Sequence, residues 1–219
     1  MTFPSTFLND RGRLIPKLLG DHIEQEAHIR LGVDGRLWRY VNGCYRPDGE
    51  AHARAMTRRL LGREVRAQHF TEVLRYLEAV GEPTVTDRPP DEWINVANGL
   101  LDRRTGELHQ HTPEVVSTVQ LPVPWDQSAE CPGILTFLHQ VLPDEDTVDL
   151  VLEFIGLCLV AGLNLRRVLL LLGPGRNGKS VLLSIIKALL GAANCAAVPL
   201  QTLAENRFAA AELFGKLAN

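Results

Sequence analysis

Closely spaced cysteines, long apolar runs and a large net charge are all missing from this chain of 219 residues. Its four cysteines form no Cys-x-x-Cys pair, which argues against a zinc ribbon or a secreted disulfide framework and favours a reducing compartment. The most apolar segment, residues 150–163, contains Glu153 and is shorter than the roughly 20 residues of a membrane span. The N-terminus also lacks the pattern of a secretory signal. We therefore expect a cytoplasmic protein with no membrane partner.

The net charge of −3 hides a segregation of charge along the chain. Residues 1–90 carry a net +2, residues 91–165 a net −10, and residues 166–219 a net +5. Phosphate contacts depend on Lys and Arg. A polyanion is therefore expected to meet the two ends of the chain and not its acidic middle.

The first part of the chain has the pattern of a small module of one hairpin and two helices. The turn residues Asn42-Gly43 predict the hairpin, since this pair supplies the positive φ of a type I′ turn. The predicted hairpin and helices lie at about 37–45, 50–61 and 66–80. Three prolines within residues 81–90 deny backbone donors to a regular element, so this stretch is predicted to be a break.

The rest of the chain predicts a β-meander and then several helices. The meander extends from about residue 93 to residue 123 and includes a strand at 115–119. The helices that follow are predicted at about 131–141 and 146–161, and the second begins at the acidic triplet Asp144-Glu145-Asp146. The predicted domains are 1–85, 86–163 and 164–219. The expected fold class is an α+β accessory domain followed by the start of an α/β, AAA+-like P-loop core.

A glycine-rich loop between an apolar run and a helical run is the strongest motif. Gly-Pro-Gly-Arg-Asn-Gly-Lys-Ser at 173–180 follows the apolar residues 168–172, predicted as a buried strand, and precedes a helix at 181–190. Such a G-x-x-x-x-G-K-S loop surrounds phosphates with backbone amides, and the expected ligand is ATP with Mg²⁺. The candidate ligand-binding residues are Gly173, Pro174, Gly175, Arg176, Asn177, Gly178, Lys179, Ser180 and Val181.

Each residue type in this loop suits one task. Glycine at 173 and 178 allows tight turns. Lys179 is the candidate catalytic residue, expected to bring its ammonium group to the β- and γ-phosphates, and Ser180 is the candidate Mg²⁺ ligand. The Asn177 amide is a candidate to support the γ-phosphate or a nucleophilic water, whereas Arg176 is expected to be exposed.

Residues 171–180 resemble the Walker A segment of superfamily III helicases, specifically those of phage and plasmid primase–helicase proteins and their poxvirus relatives. Stretches on either side are similar to the same family, at 95–102, 105–108, 118–123, 206–208 and 213–219. The resemblance implies an ATP-driven DNA helicase, hexameric when complete, that unwinds DNA during replication of a phage, prophage or plasmid. Single-stranded or forked DNA and further copies of the chain are the partners it implies.

The resemblance also implies groups that this chain does not contain. Family members complete the ATP site with an acidic Walker B pair, a polar sensor and an arginine finger, all further downstream. This chain ends at Asn219, 40 residues after Lys179. We therefore expect a truncated frame, a prophage remnant or an N-terminal fragment that binds ATP with weak or absent hydrolysis. An incomplete parallel sheet is also expected to leave residues 168–172 exposed.

Two other functions stay open on the sequence. One is a non-catalytic module that binds DNA or a partner protein and joins an oligomer without hydrolysis. The other is an unrelated P-loop kinase or GTPase, against which the family-like residues 98–102 upstream of the loop count. Primase activity is not expected, since the chain has no room for a polymerase module.

Three weaker patterns have both a structural and a functional interpretation. Trp38, Tyr40 and Tyr45 alternate with Arg36, Arg39 and Arg46 on the hairpin, and packing is favoured over stacking on single-stranded DNA. A basic ridge is formed by five arginines, at 54, 58, 59, 63 and 66. A solvated face is favoured over DNA contact for this ridge. A metal site at His109, His111 and Cys131 is not expected, because these residues lack ligand spacing.

Overall fold

The computed structural model describes residues 6–86, 90–161, 167–213 and 215–219, and the chain divides into two compact units. Unit 1 comprises Met1–Thr86 together with Thr112–Thr118. Unit 2 comprises Asp87–His111 together with Val119–Asn219. The chain therefore leaves unit 1, returns to it for one short segment and then continues in unit 2.

Unit 1 consists of three helices and a four-stranded sheet. The helices are α1 Pro16–Ala27, α2 Gly49–Leu61 and α3 Ala67–Val80. The strands are β1 Ile29–Gly32, β2 Leu37–Val41, β3 Cys44–Arg46 and β4 Pro83–Val85, in the order β3-β2-β1-β4. Neighbouring strands are antiparallel except β1 and β4, which are parallel.

Apolar residues at helical spacing build the core of unit 1. Leu19 and Ile23 of α1 lie one turn apart and are fully buried, as is Val73 of α3. They form one cluster with Met56 of α2 and Ile29 of β1. The helices thus cover the sheet with their apolar faces, and their charged faces remain in solvent.

The predicted hairpin and both predicted helices of unit 1 are confirmed. Asn42 and Gly43 join β2 to β3 with φ angles of 51° and 85°. Both turn residues therefore occupy the left-handed region that a type I′ turn requires. α2 ends before Gly62, and α3 ends before Gly81, as the sequence predicted. α1 was not predicted from the sequence, although Pro16 stands at its first turn, a favoured position for proline.

Two predictions for chain segments around unit 1 are wrong. The break at 81–90 contains β4, which pairs with β1 at Leu31 and Gly32. Proline is tolerated as the first residue of an edge strand, because its missing N–H is not needed there. The strand predicted at 115–119 does not form, and residues 112–118 are irregular.

Tyr45 and Cys44 of β3 bind this irregular segment. The Tyr45 backbone N–H donates to Ser117 O at 2.8 Å, and its hydroxyl donates to Pro113 O at 2.8 Å. Arg30 Nε in turn donates to the Tyr45 hydroxyl at 2.8 Å, and the Cys44 thiol donates to Ser117 O at 3.3 Å. Burial raises the pKa of the Cys44 thiol to about 11, so the thiol keeps the proton that it donates. These contacts replace the regular ladder that a strand would make.

Unit 2 combines a three-stranded meander with helices. The strands are β5 Trp93–Val96, β6 Gly99–Asp102 and β7 Leu108–His109, antiparallel in that order. The helices are α4 Pro132–Val141, α5 Glu145–Cys158, α6 Lys179–Leu190 and α7 Leu200–Glu205. The predicted helices at 131–141, 146–161 and 181–190 are confirmed within a few residues. None of the helices in the described residues is long and apolar enough to cross a lipid bilayer.

The meander is joined to the following chain by residues 119–125. Leu121 N donates to Asn95 O at 2.8 Å, and Ala97 N donates to Val123 O at 3.0 Å. The Asn98 side chain bonds both backbone groups of Trp125, with N···O distances of 2.9 and 2.8 Å. Asn98 therefore extends the pairing by one step beyond the end of β5.

The core of unit 2 lies between α4, α5 and α6. Leu138, Val148 and Leu190 are almost completely buried there, and Val96 of β5 belongs to the same cluster. Asn194 Nδ2, just after α6, donates to Gln120 O at 2.8 Å. The end of α6 is thus tied to the segment that lies along the meander.

Residues 168–172 are not a strand in the structure, contrary to the prediction. Val168, Leu170 and Leu172 are 80%, 73% and 80% exposed, whereas Leu171 packs on the core of unit 2. No backbone hydrogen bond joins this segment to another described residue. A strand needs neighbours for its backbone groups, and without them an apolar run remains extended and solvated. The expected exposure is confirmed for Val168, Leu170 and Leu172, but it is wrong for Leu171.

We predict that the exposed apolar face of residues 168–172 causes self-association. Replacing Val168, Leu170 and Leu172 by threonine removes apolar surface without burying a new group, so sedimentation should show less aggregate and more monomer. The matched change Leu171→Thr removes a core contact instead and should lower the melting temperature. A wild-type chain that sediments as a clean monomer at high concentration would contradict the prediction.

Candidate functional site

The loop at 173–180 connects the extended apolar segment to α6. Gly178 precedes the helix with φ 84°, and Arg176 has φ 62°. Gly173 also has a positive φ, 151°, so three residues of the loop have a positive φ, which glycine adopts without strain and arginine rarely does. The sequence predicted tight turns at Gly173 and Gly178; the structure has the turn at Gly175 and Arg176, between these two glycines.

The Lys179 ammonium group lies over this loop. Its Nζ donates to Gly173 O at 2.9 Å, to Pro174 O at 3.0 Å and to Asn177 Oδ1 at 2.6 Å. All three partners are neutral oxygens, so the positive charge has no carboxylate to neutralise it within the described residues. A phosphate oxygen would be a stronger partner for this group.

Asn177 is more closely integrated in the loop than a variable position suggests. Its Oδ1 accepts from Lys179, and its Nδ2 lies where a Cβ on Gly173 would be. Glycine at 173 is therefore required for the amide of Asn177 to reach the lysine. The side chain that the sequence offered as a γ-phosphate contact thus holds the Lys179 ammonium group in place.

Ser180 and Val181 lie in the first turn of α6, next to the loop. Ser180 is exposed, and its carbonyl accepts from the Ser184 hydroxyl at 2.8 Å. The first turn of α6 contains no acidic residue. A helix N-terminus with free amides and no nearby carboxylate is favourable to an anion.

Helix α4 supports the loop at Gly178. A Cβ added to Gly178 would lie 2.8 Å from Val141 Cγ1 and 3.2 Å from Phe137 Cε2. Phe137 and Val141 are one turn apart, so both face the loop from the same side of α4. This contact was not predicted, because a 3.6-residue apolar pattern on a helix does not reveal which glycine the helix packs against.

The ends of α4 and α5 facing each other carry a histidine–carboxylate pair. His139 donates from Nδ1 to Leu135 O at 2.6 Å and from Nε2 to Glu145 Oε2 at 2.9 Å. Both ring nitrogens face acceptors, and the bond to Leu135 and then the carboxylate of Glu145 raise the pKa of His139. Asp144 caps α5 by accepting from Thr147 N at 2.8 Å, which confirms the acidic triplet as a helix start.

The hairpin aromatics do not form an exposed stacking surface. Trp38 and Tyr45 are buried, and the Trp38 indole N–H donates to Asp34 Oδ1 at 3.1 Å. Tyr40 is half-buried with its ring centroid 5.4 Å from that of Tyr45. Among the alternating arginines, Arg39 forms two bonds to the Asp48 carboxylate. Packing, the favoured interpretation, is confirmed.

The histidines and the cysteine considered as metal ligands are used in other ways. The His109 ring packs edge-on against Trp93 at 5.2 Å, and His111 Nε2 lies 3.1 Å from Asn95 Oδ1. Cys131 is exposed just before α4. Over the described ranges, no group of three or more His, Cys, Asp or Glu could hold a metal ion.

Comparison with known proteins finds a family match for the part of the chain upstream of the loop. A family model described as "D5 N terminal like" matches residues 13–143. The match includes unit 1, the meander and α4, and it ends before the loop at 173–180. No curated protein matches the chain.

We predict that Gly178→Ala destabilises unit 2 by about 1–3 kcal/mol, because the added methyl group overlaps Val141 in a backbone conformation unsuited to alanine. Gly175→Ala is the matched control in the same loop: its Cβ would meet nothing within 4 Å. Urea denaturation should separate the two variants. Equal midpoints for both would show that α4 does not support the loop.

We also predict that His139 makes the stability of unit 2 depend on pH. Its folded-state pKa is raised above the ordinary 6.5. The stabilisation is therefore fully present below pH 6.5 and is lost as the pH rises through the folded-state pKa. This stabilisation should raise the urea midpoint of the wild type at about pH 5.5 relative to about pH 8.5, and His139→Gln should remove that difference. An unchanged pH profile in the variant would contradict the assignment.

Proposed function

Because the chain belongs to the D5 N-terminal-like family, that of the N-terminal domain of D5-like primase–helicases, we propose that it is the ATP-binding portion of a replicative DNA helicase. The proposed setting is the replication of a phage, prophage or plasmid. The proposed ligand of residues 173–181 is ATP with Mg²⁺. The observation that carries the proposal is the Lys179 ammonium group, held over a glycine-rich loop by neutral oxygens alone.

The residues of the loop fit a nucleoside triphosphate in chemical type. Backbone amides from the loop and the first turn of α6 would donate to phosphate oxygens. Lys179 would exchange its neutral partners for the β- and γ-phosphates, and the Ser180 hydroxyl would be a ligand of Mg²⁺. Mg²⁺ supplies charge neutralisation for the phosphates when it is bound.

ATP binding is better supported than hydrolysis in the described residues. Hydrolysis needs a carboxylate that holds Mg²⁺ and orients water. After the loop the sequence has only Glu205 and Glu212, and both are exposed. Glu205 accepts from Gln201 on the same short helix. We therefore propose weak or absent ATPase activity for these residues by themselves, and ATP-driven DNA unwinding in a hexamer for the proposed helicase.

The alternative is a non-catalytic module that binds DNA or a partner protein and joins its oligomer. The exposed apolar segment at 168–172 favours it, because such a surface requires a partner. An unrelated P-loop kinase or GTPase is disfavoured, since the family match covers residues 13–143 upstream of the loop.

We predict that the chain binds a fluorescent ATP analogue in the presence of Mg²⁺ and that Lys179→Ala weakens this binding. A hydrogen bond to a charged group contributes about 1.5–3 kcal/mol, so the affinity should fall by about tenfold to a hundredfold. Lys187→Ala, an exposed lysine on the same helix, is the control and should bind like the wild type. Phosphate release should stay at background for all three.

Each other result has a definite meaning. No nucleotide binding by the wild type would favour the non-catalytic module. Equal binding by wild type and Lys179→Ala would place the nucleotide outside the loop. Phosphate release that Lys179→Ala abolishes would show that the chain hydrolyses ATP after all.

A further inference from the structure

We propose that three unpaired arginines on the outer side of unit 1 form a contact surface for the phosphate backbone of nucleic acid. The surface consists of Arg58 near the end of α2, Arg63 in the 3₁₀ turn Gly62–Glu64 and Arg66 just before α3. We call it the arginine surface. The inference rests on the proposed function, since DNA is the partner of a replication protein, and it adds the place of contact.

The arginines of α2, including Arg58, lie away from the buried side of this helix. Ala53, Met56 and Thr57 of α2 are buried against unit 1. Successive residues of a helix are about 100° apart, so Arg54, Arg58 and Arg59 point away from that face. The predicted basic ridge therefore exists, but its five arginines are not equivalent.

Two of the five arginines are already paired with carboxylates. Arg54 Nη2 lies 2.8 Å from Glu50 Oε1, and Arg59 Nη2 lies 2.6 Å from Glu26 Oε1. The bond from Arg59 holds the pKa of Glu26 below its ordinary value. These two pairs neutralise Arg54 and Arg59 together with Glu50 and Glu26.

The other three arginines keep their full charge. Arg58, Arg63 and Arg66 are exposed, and none has a carboxylate within 4.0 Å in the part of the chain that the structure describes. Glu64 is the one acidic residue between Arg58 and Arg66 in sequence. The net charge of this short stretch is thus positive and available to a partner.

The chemistry of the surface favours a phosphate backbone over a protein surface. None of the large hydrophobic side chains between residues 50 and 68 is exposed. The stretch therefore offers arginines but no apolar anchor for a protein partner. Guanidinium groups bind phosphate in a bidentate manner. One strand of duplex DNA presents a phosphate about every 3.4 Å, so neighbouring phosphates offer closely spaced partners to a group of arginines.

The buried aromatic residues of the hairpin exclude one way for unit 1 to bind DNA, which is base stacking. Trp38 and Tyr45 are buried and cannot stack on bases. Contact through the arginine surface is therefore limited to the backbone and should be independent of sequence. Such binding is strongly weakened by salt and accepts both single strands and duplexes.

The test is fluorescence anisotropy with a labelled oligo-dT and a labelled duplex of random sequence across a range of NaCl concentrations. The test variant is Arg58→Ala/Arg63→Ala/Arg66→Ala, and the matched control is Arg54→Ala/Arg59→Ala, which removes arginines that are already paired. The test variant should lose at least about tenfold in affinity, and its salt slope should fall by about 0.7 per lost contact on the single strand. The control should stay within about threefold of the wild type.

A third variant separates charge from shape. Arg58→Lys/Arg63→Lys/Arg66→Lys keeps the positive charges, so most of the salt slope should return while the affinity recovers only in part. An acidic peptide of matched charge should compete poorly. Equal competition by this peptide would overturn the assignment to phosphate.

The outcomes distinguish this inference from the proposed function. DNA binding that the test variant retains in full would overturn the inference and leave the helicase assignment intact. No DNA binding by the wild type, with ATP-analogue binding preserved, would overturn the inference together with the DNA half of the proposed function. The test variant should bind the ATP analogue like the wild type and melt at the same temperature, because its three side chains are exposed.

Discussion

The absence of a side chain at residue 178 is the constraint on which the candidate site depends. Val141 and Phe137 of α4 occupy the space that a Cβ would need, and the loop turns there into α6. The loop is therefore packed on a helix that belongs to the D5 N-terminal-like region, since the family match extends to residue 143. Packed interiors transmit small shifts because they have little free volume. A movement of α4 would thus reach the residues that surround the Lys179 ammonium group.

The hairpin aromatics and the α2 arginines of unit 1 differ in burial, and this difference decides which of them could contact DNA. The aromatic residues of the hairpin serve the core: Trp38 and Tyr45 are buried, and each has its polar atom bonded inside the unit. The arginines of α2 remain outside, and two of them are neutralised by Glu50 and Glu26. What remains for a partner is charge without an aromatic face, a combination that reads the backbone of a nucleic acid and not its bases.

Local signals in the sequence predicted the parts whose structure is determined locally. Asn42-Gly43 requires positive φ at both positions, and the helices at α2 to α6 follow from apolar spacing and from their end residues. Segments that depend on distant partners were predicted less well. Residues 115–119 look like a strand, but the Ser117 carbonyl accepts from Tyr45 and Cys44 of β3. Residues 168–172 have no backbone hydrogen bond to another described residue, so they lack the neighbours that a strand needs. At the site, the glycines and Lys179 were predictable from the motif, whereas the support from α4 depends on a contact across the fold.

The return of residues 112–118 to unit 1 makes the two units inseparable by a single cut of the chain. Pro113 and Ser117 accept hydrogen bonds from the hydroxyl and the backbone N–H of Tyr45, a fully buried residue. A fragment that ends at residue 86 would retain every helix and strand of unit 1 and yet lack the acceptors of both donors, at a cost of about 0.5–1.5 kcal/mol for each lost hydrogen bond. The smallest self-sufficient form of unit 1 therefore includes part of the polypeptide that sequence order assigns to its neighbour.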